Sequence, residues 1–154
     1  MPFEISALFN AARSRKGEFA RLVRDVPHES LGVLYSEALF VGAALDDWRG
    51  ERIVESGRAR GQSTLLLALC FPSVEIHSVE LDPHSPHAAV AAARLAHLPK
   101  VKLLFGDSRR VLPEITRAGD VVVIDGPKDY RGLKLAIALL AHQRPHAVFM
   151  HDCY

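Results

Sequence analysis

The sequence predicts an α/β fold, an open and mostly parallel sheet of about five strands with helices on both faces. From residue 52 onward, short β-branched or apolar runs alternate with helical patterns, a rhythm typical of right-handed strand–helix–strand crossovers. A glycine loop between the first run and the next helix is typical of a nucleotide-type site. With 154 residues and 49% hydrophobic content, the chain is long and apolar enough for one domain with a buried core.

Two helical stretches precede the first strand. Apolar residues recur at helical spacing over residues 3–26, which predicts one helix, or two pieces divided at Gly17. A second pattern predicts a helix over residues 30–47. We expect residues 1–50 to form an N-terminal helical cap or a dimer surface, and residues 51–154 to form the α/β core of the single domain.

The core is predicted from five apolar runs and four helical patterns. The run at 121–125 is apolar almost throughout, which indicates a strand covered on both faces. The helical pattern at 108–117 is interrupted near Pro113. The predicted strands are 52–55, 75–80, 101–105, 121–125 and 147–151, and the predicted helices are 63–71, 86–97, 108–117 and 132–142.

Composition narrows the function classes. A net charge of +1 gives no broad attraction to nucleic acid or to a membrane surface. The apolar runs are too short to span a bilayer, and the first residues carry no secretory pattern. Cys70 and Cys153 do not make a disulfide framework, so we expect a reducing, cytoplasmic setting.

The glycine loop has the spacing Glu-x-Gly-x-x-x-Gly-x-Ser, beginning at Glu55. Gly57 allows a sharp turn and a close approach of a ligand to the backbone, because it has no Cβ. Gly61 allows the loop to close onto the helix, and Ser63 is predicted to cap that helix. The spacing differs from the Gly-x-Gly-x-x-Gly of dinucleotide sites. The alternative is an ordinary strand–helix unit with a glycine turn.

A carboxylate follows each of the five predicted strands. In an open α/β sheet, ligands bind at the carboxyl ends of the strands, so these side chains are expected to share one site. The five strand ends supply Glu55, Glu80, Asp107, Asp125 and Asp152.

Two of these acids have a specific expected role. Glu80 lies 23 residues after Gly57, a distance at which an acid accepts hydrogen bonds from the ribose hydroxyls of an adenosine ligand. The alternative for Glu80 is a solvated loop acid. Asp107 either bonds the adenine amino group or caps the next helix, and Ser108 is expected to cap that helix as well.

These stretches resemble class I S-adenosylmethionine-dependent methyltransferases. The resemblance is carried by Val-Glu-Ser-Gly-Arg-Ala-Arg-Gly-Gln-Ser, Ser-Val-Glu-Leu-Asp, Phe-Gly-Asp-Ser and Val-Ile-Asp-Gly-Pro-Lys, and it runs from residue 52 to 152. It implies a Rossmann-like sheet with strand order 3-2-1-4-5 and S-adenosylmethionine as cofactor. The implied cofactor-binding residues are Glu55, Gly57, Arg58, Gly61, Ser63, Glu80, Asp107, Ser108 and Asp125.

Within that superfamily, the chain looks most like small-molecule O-methyltransferases of the catechol and caffeoyl-CoA kind. The resemblance implies a small-molecule acceptor and a divalent metal such as Mg²⁺ on Asp125 and Asp152, with Lys128 as base. Asp125 and Lys128 are therefore the expected catalytic residues. His151 is a rival base, because histidine titrates near neutral pH. Cys153 stands where that family has an asparagine metal ligand.

The resemblance also implies seven strands, of which the last two form a hairpin. This sequence stops after the fifth predicted strand, which indicates either a fragment or a reduced fold. In a reduced fold, a second subunit would cover the exposed strand edge, so a homodimer is expected. The competing functions are a non-catalytic cofactor-binding or assembly module and a dinucleotide-dependent oxidoreductase. The glycine spacing argues against the latter, and the balanced charge gives no support to nucleic-acid methylation.

Overall fold

The computed structural model describes residues 4–29 and 32–152. Within them, five parallel strands form one sheet in the order β3-β2-β1-β4-β5, as predicted. The strands are β1 Arg52–Ser56, β2 Glu75–Glu80, β3 Val101–Phe105, β4 Val121–Ile124 and β5 Ala147–Met150. The helices are α1 Ile5–Leu22, α2 Tyr35–Ala44, α3 Gln62–Cys70, α4 Pro86–Leu95, α5 Ser108–Ile115 and α6 Tyr130–His142.

The core lies on both faces of the central strands. Successive strand residues point to opposite faces, so β1 contributes Val54 to one core layer and Ile53 to the other. On the first face, Val54 and Val122 pack against α5 and α6. On the second face, Ile53 packs with Leu67 of α3. Every residue of β1 is buried, which fixes the start of the glycine loop firmly in the sheet.

The N-terminal helices cover α3. Phe19 of α1 and Ala38 of α2 meet Leu66 of α3 in a separate apolar cluster. Helix α1 is continuous through Gly17, so that residue does not divide it. Helix α2 begins at Tyr35. The start of the predicted helix over 30–47 lies outside the described residues.

Three local predictions were wrong. Helix α3 begins at Gln62, after Gly61 in the left-handed conformation, so Ser63 lies inside the helix and does not cap it. Helix α5 continues through Pro113, which removes only the hydrogen bond that its own nitrogen would make. Helix α6 begins at Tyr130, because Asp129 caps it by accepting a hydrogen bond from the backbone N–H of Arg131.

The two outer strands differ from the centre. All four residues of β5 are half-buried, and β3 has three half-buried and two exposed residues. Among the described residues, β5 pairs with β4 alone. No described helix has both the length and the apolar character needed to cross a membrane.

Candidate active site

The loops after the first four strands enclose one cleft at the carboxyl edge of the sheet. The cleft has a volume of about 400 Å³. Its lining includes Gly57, Glu80, Asp107, Asp125 and Lys128. The sheet therefore brings together residues that are far apart in the sequence, and three of the predicted acids share this cleft.

Gly57 allows two of these loops to touch. Its φ angle is +87°, and a Cβ placed on it would lie 2.8 Å from both the carbonyl carbon of Asp125 and the nitrogen of Gly126. Any side chain at this position would therefore push the loop after β4 away from the loop after β1. The sequence predicts that a ligand approaches the backbone at Gly57 closely. In the structure, the backbone of Asp125 and Gly126 makes this close approach.

Gly61 closes the loop against a neighbouring helix. Its φ angle is +79°, and a Cβ on it would lie 2.9 Å from Cδ1 of Leu95 and 3.3 Å from Cβ of Ala91. Both neighbours belong to α4. The predicted closure onto a helix is thus made onto α4, while the following helix α3 begins at the next residue.

Glu80 is held at the cleft by two backbone groups. One carboxylate oxygen accepts a hydrogen bond from the backbone N–H of Ala59 at 2.7 Å, and the other accepts one from that of Leu81 at 2.7 Å. The carboxylate is half-buried and joins the glycine loop to the end of β2. Each oxygen keeps a further lone pair, so the anchored carboxylate is still able to accept hydrogen bonds from a ligand.

Asp107 caps α5 and also faces the cleft. Its carboxylate accepts the backbone N–H of Arg109 at 2.9 Å and forms a two-pronged ion pair with the Arg109 guanidinium. These hydrogen bonds lower the pKa of Asp107 to about 2. The prediction that Ser108 caps the helix was wrong: Ser108 is the first helical residue, and its buried hydroxyl lies 2.6 Å from that of Ser56.

Glu55 lies beneath the cleft and not on its wall. It has no solvent-exposed surface, and one of its oxygens accepts hydrogen bonds from the hydroxyls of Ser78, at 2.6 Å, and Thr64. Burial raises the pKa of Glu55, against the opposing effect of these hydroxyls, of Ser63 and of Arg58. The structure thus places Glu55 under the glycine loop, and its expected contact with a ligand stays a prediction.

Arg58 also turns inward. Its side chain is 1% exposed, and its guanidinium donates to the carbonyl oxygens of Ser78 and Leu104 and lies 4.7 Å from the ring centre of Phe105. The side chain thus braces the glycine loop against β2 and β3. Only the backbone of Arg58 is left to face a ligand. The sequence pattern alone does not show whether the backbone or the side chain of this residue faces the site.

A second group of charges follows β4 and β5. We call Asp125, His151 and Asp152 the carboxylate–histidine cluster, since one potential ligand atom from each lies within 4.8 Å of the others. The His151 Nδ1 atom is 2.8 Å from an Asp125 oxygen and 3.4 Å from an Asp152 oxygen. The Lys128 ammonium contacts Asp152 and lies 3.5 Å from Asp125. Cys153 lies outside the described residues.

The surroundings raise the pKa of two cations here, His151 of the cluster and the neighbouring Lys128. The hydrogen bond with Asp152 is the main reason that the pKa of Lys128 is raised. A lysine base needs a lowered pKa, so these contacts do not favour the predicted role of Lys128 as a base, and that role stays a prediction. Burial lowers the pKa of His151, but the hydrogen bond and charge of Asp125, with the charges of Glu37 and Asp152, outweigh it and leave the pKa raised.

Sequence reasoning missed Glu37. This residue of α2 places a carboxylate oxygen 3.2 Å from Nε2 of His151. The same oxygen accepts the backbone N–H of Leu34 at 2.7 Å, which holds it at the start of the helix. A glutamate three residues after a helix N-cap is a recognisable capping signal, but it does not show which part of the sheet the helix end will face.

An apolar groove opens beside the cluster. Its volume is about 720 Å³, and it runs between α1, α2 and the face of β4 and β5. Glu37, Ser63 and His151 supply polar groups to the lining, which is otherwise mostly apolar. The groove and the cleft therefore lie on either side of the carboxylate–histidine cluster, with Asp125 lining the cleft and His151 lining the groove.

Comparison with known proteins identifies the family. Residues 54–153 match the family model described as a methyltransferase domain. The chain belongs to this methyltransferase family. The predicted resemblance to class I S-adenosylmethionine-dependent methyltransferases is thereby confirmed in family and fold.

Solved methyltransferases share the fold. The O-methyltransferase TomG of Streptomyces achromogenes, solved with S-adenosylmethionine, is 25% identical with a TM-score of 0.63, over 96% of this chain and 66% of its own. The Podospora anserina methyltransferase PaMTH1, solved with S-adenosylhomocysteine, is 19% identical with a TM-score of 0.61, over 94% and 68%.

A curated relative is an uncharacterized RNA methyltransferase of Clostridium tetani, 27% identical over 125 residues. That match covers 79% of this chain but 26% of the clostridial protein. The methyltransferase domain thus spans about a quarter of this relative and about two thirds of the two solved structures.

Proposed function

We propose that this methyltransferase domain binds S-adenosylmethionine in the cleft and transfers its methyl group to a hydroxyl of a small-molecule acceptor. The observation that carries the proposal is the convergence of Gly57, Glu80 and Asp107 on one cleft of about 400 Å³. Small-molecule sites typically have volumes of about 300–1,000 Å³, so the space suits a ligand of this size.

Each part of the cofactor has a proposed partner. Glu80 would accept hydrogen bonds from the ribose hydroxyls, and Asp107 from the adenine amino group. The loop backbone would surround the amino acid portion. Glu55 would act from below by holding Thr64 and Ser78 in place. Of the other expected cofactor-binding residues, Gly57, Ser108 and Asp125 line this cleft, and Arg58, Gly61 and Ser63 belong to the glycine loop and the start of α3 beside it.

A divalent cation would fit the carboxylate–histidine cluster. Asp125 and Asp152 supply the oxygen donors that Mg²⁺ prefers, at a spacing compatible with one ion. When bound, the cation would lower the pKa of an acceptor hydroxyl that it holds.

The catalytic roles of Lys128 and Asp125 would then be electrostatic. The raised pKa of Lys128 keeps a positive charge beside the acceptor oxygen, which favours the deprotonated acceptor. Asp125 would orient His151 and Lys128 toward that oxygen. In methyl transfer, the acceptor oxygen displaces the sulfur from the methyl carbon of the sulfonium group, and S-adenosylhomocysteine leaves. Because the cofactor is already activated by its charge, the main task of the protein is to align donor and acceptor.

The acceptor would occupy the groove between α2 and β5. Its apolar walls suit a flat or aromatic body, and its polar lining lies beside the cluster. The expected homodimer and the cytoplasmic setting stay predictions. Sedimentation of the purified chain at two concentrations tests the first.

The test is calorimetric binding of S-adenosylmethionine to the wild type, to Glu80→Gln and to the matched control Glu114→Gln. Glu114 is exposed on α5 and does not line the cleft. We expect Glu80→Gln to weaken binding at least tenfold, since it loses a charged acceptor worth about 1.5–3 kcal/mol, and Glu114→Gln to leave binding unchanged. Equal affinities in all three proteins contradict the proposed cofactor site.

A transfer assay tests the acceptor class. Radiolabelled S-adenosylmethionine is offered with a panel of catechols and, separately, with RNA. Label in a catechol supports the proposal. Label in RNA alone contradicts it, and cofactor binding without any transfer identifies a non-catalytic binding module.

A further inference from the structure

We propose that His151 is a third metal ligand through Nδ1, oriented by Glu37, so that the carboxylate–histidine cluster selects a divalent transition metal such as Mn²⁺ over Mg²⁺. This inference rests on the proposed function, which puts a divalent cation on Asp125 and Asp152. It changes the donor set from oxygen alone to two carboxylates and one imidazole.

The ring nitrogen already lies where a ligand is needed. Two atoms that each bind one ion at about 2.1 Å lie about 3 Å apart when their directions are perpendicular. The Nδ1 atom of His151 is 2.8 Å from an Asp125 oxygen and 3.4 Å from an Asp152 oxygen. Nδ1 is thus spaced as a neighbour of each carboxylate around a single ion, and all three donor atoms lie within 4.8 Å of one another.

Glu37 provides an independent sign of ligation. Histidines that bind metals usually donate their other ring N–H to a carboxylate, which fixes the tautomer and the ring orientation. The Glu37 oxygen that lies 3.2 Å from Nε2 is itself held by the backbone N–H of Leu34. An N–H on Nε2 that donates to Glu37 leaves the lone pair of Nδ1 for the ion.

The imidazole sets the metal preference. Mg²⁺ prefers oxygen ligands and near-ideal octahedral geometry, whereas imidazole suits Fe²⁺, Ni²⁺, Cu²⁺ and Zn²⁺. Mn²⁺ shares the preference of Mg²⁺ for carboxylates but, as a first-row transition metal, also accepts an imidazole ligand. Among the described residues, this is the group whose ligand atoms cluster closely enough for one ion. His151 would supply the third ligand, although Cys153 and not His151 stands at the position of the asparagine in the family resembled.

Lys128 competes with the ion. Its ammonium contacts Asp152 and lies 3.5 Å from Asp125, so a metal must displace it from both oxygens. The Lys128 side chain is 56% exposed, and its flexible stem allows the ammonium to leave the two carboxylates and still remain near the acceptor oxygen. Removing this charge is therefore expected to tighten metal binding.

The experiment titrates Mn²⁺ and Mg²⁺ into the cofactor-free protein and records pulsed electron paramagnetic resonance of bound Mn²⁺. We expect Mn²⁺ to bind at least tenfold more tightly than Mg²⁺, with a nitrogen coupling from a ligated imidazole. His151→Gln should remove the coupling and weaken Mn²⁺ binding about 10–100-fold, and Glu37→Gln should weaken it about tenfold. Lys128→Met should strengthen it.

The control is His84→Gln, at an exposed histidine after β2 that is not part of the cluster. It should leave Mn²⁺ affinity and the nitrogen coupling unchanged. Absence of Mn²⁺ binding, bound Mn²⁺ without nitrogen coupling, or tighter binding of Mg²⁺ each overturns the inference, and the wild-type spectrum decides even where a variant fails to fold. The affinity for S-adenosylmethionine, measured separately without metal, tests the proposed cofactor site independently of the metal site.

Discussion

The two edges of the sheet use the same chemistry in different surroundings. At the amino edge, Arg52 and Asp120 form an ion pair at 2.6 Å, and each side chain is 8% exposed. At the carboxyl edge, Lys128 is 56% exposed while it contacts Asp152. Both edges therefore pair carboxylates with cations, but only the pair at the amino edge is buried away from water.

The partners of each pair explain the difference. Asp120 accepts hydrogen bonds from Arg52 and from the backbone N–H of Arg117, and Arg52 also donates to the carbonyl of Ile115. The buried pair is thus closed to ligands and contributes to the fold. The exposed pair keeps partners that a ligand or an ion is able to replace, which is what a binding site requires.

The largest effect is expected when the buried pair is broken. Asp120→Ala leaves the Arg52 charge buried and uncompensated, which costs about 3–5 kcal/mol of unfolding free energy. Urea unfolding measures the loss. The control is Asp46→Ala, which removes the exposed ion pair with Arg15 and costs at most about 1 kcal/mol. Equal losses in the two variants would contradict the contrast between buried and exposed pairs.

Two glycines with the same φ angle compare the edges directly. Gly57 at the carboxyl edge and Gly119 at the amino edge both have φ +87°, but a Cβ on Gly119 meets no atom within 4 Å. Backbone strain of about 1 kcal/mol is expected in both alanine variants. Gly57→Ala adds a clash with the Asp125–Gly126 backbone, for a total of about 2–4 kcal/mol.

The same two glycine variants separate an effect on protein stability from an effect on cofactor binding. Calorimetry should show that Gly57→Ala loses S-adenosylmethionine binding and that Gly119→Ala keeps it. Unchanged cofactor affinity in Gly57→Ala would mean that the contact between the two loops does not shape the cleft.

A smaller effect concerns the buried acid below the cleft. Burial raises the pKa of Glu55, so its contribution to stability is full below the pKa of the unfolded chain and is lost as the pH rises through the folded pKa. Glu55→Gln removes this dependence. The variant should gain stability relative to the wild type as the pH rises from 5 to 8, measured by thermal unfolding. A variant that loses stability relative to the wild type as the pH rises would contradict the raised pKa.

The smallest change in stability is expected at the exposed pair. Lys128→Met should alter the unfolding free energy by about 0.5 kcal/mol or less, because water screens the charges. The rate of methyl transfer should nevertheless fall, since the acceptor oxygen loses a nearby positive charge. A large loss of stability with an unchanged rate of methyl transfer would mean that Lys128 stabilises the fold and does not contribute to catalysis.

Sequence patterns were most informative where local chemistry decides the outcome. Strands β2 and β3 have the predicted bounds, since turn residues and apolar runs define both ends. The position of Glu80 at a strand end was predicted from the same pattern. Helix caps were predicted less accurately, because Gly61 takes the position expected for Ser63, two residues away, and Asp107 takes that expected for Ser108, one residue away.

Features that depend on distant packing could not be predicted. Glu55 is buried because Thr64 and Ser78 cover the face of the strand to which it points. Glu37 reaches His151 only through the placement of α2 on the sheet. The pKa of each cation in the cluster likewise depends on carboxylates that are remote in the sequence.

The crystal structure of the protein with S-adenosylhomocysteine tests the central claim most directly. We expect the ligand in the cleft, with ribose hydroxyls within about 3.2 Å of the Glu80 carboxylate and the adenine beside Asp107. A ligand seated in the groove between α2 and β5, with Glu80 bonded only to Ala59 and Leu81, would contradict it.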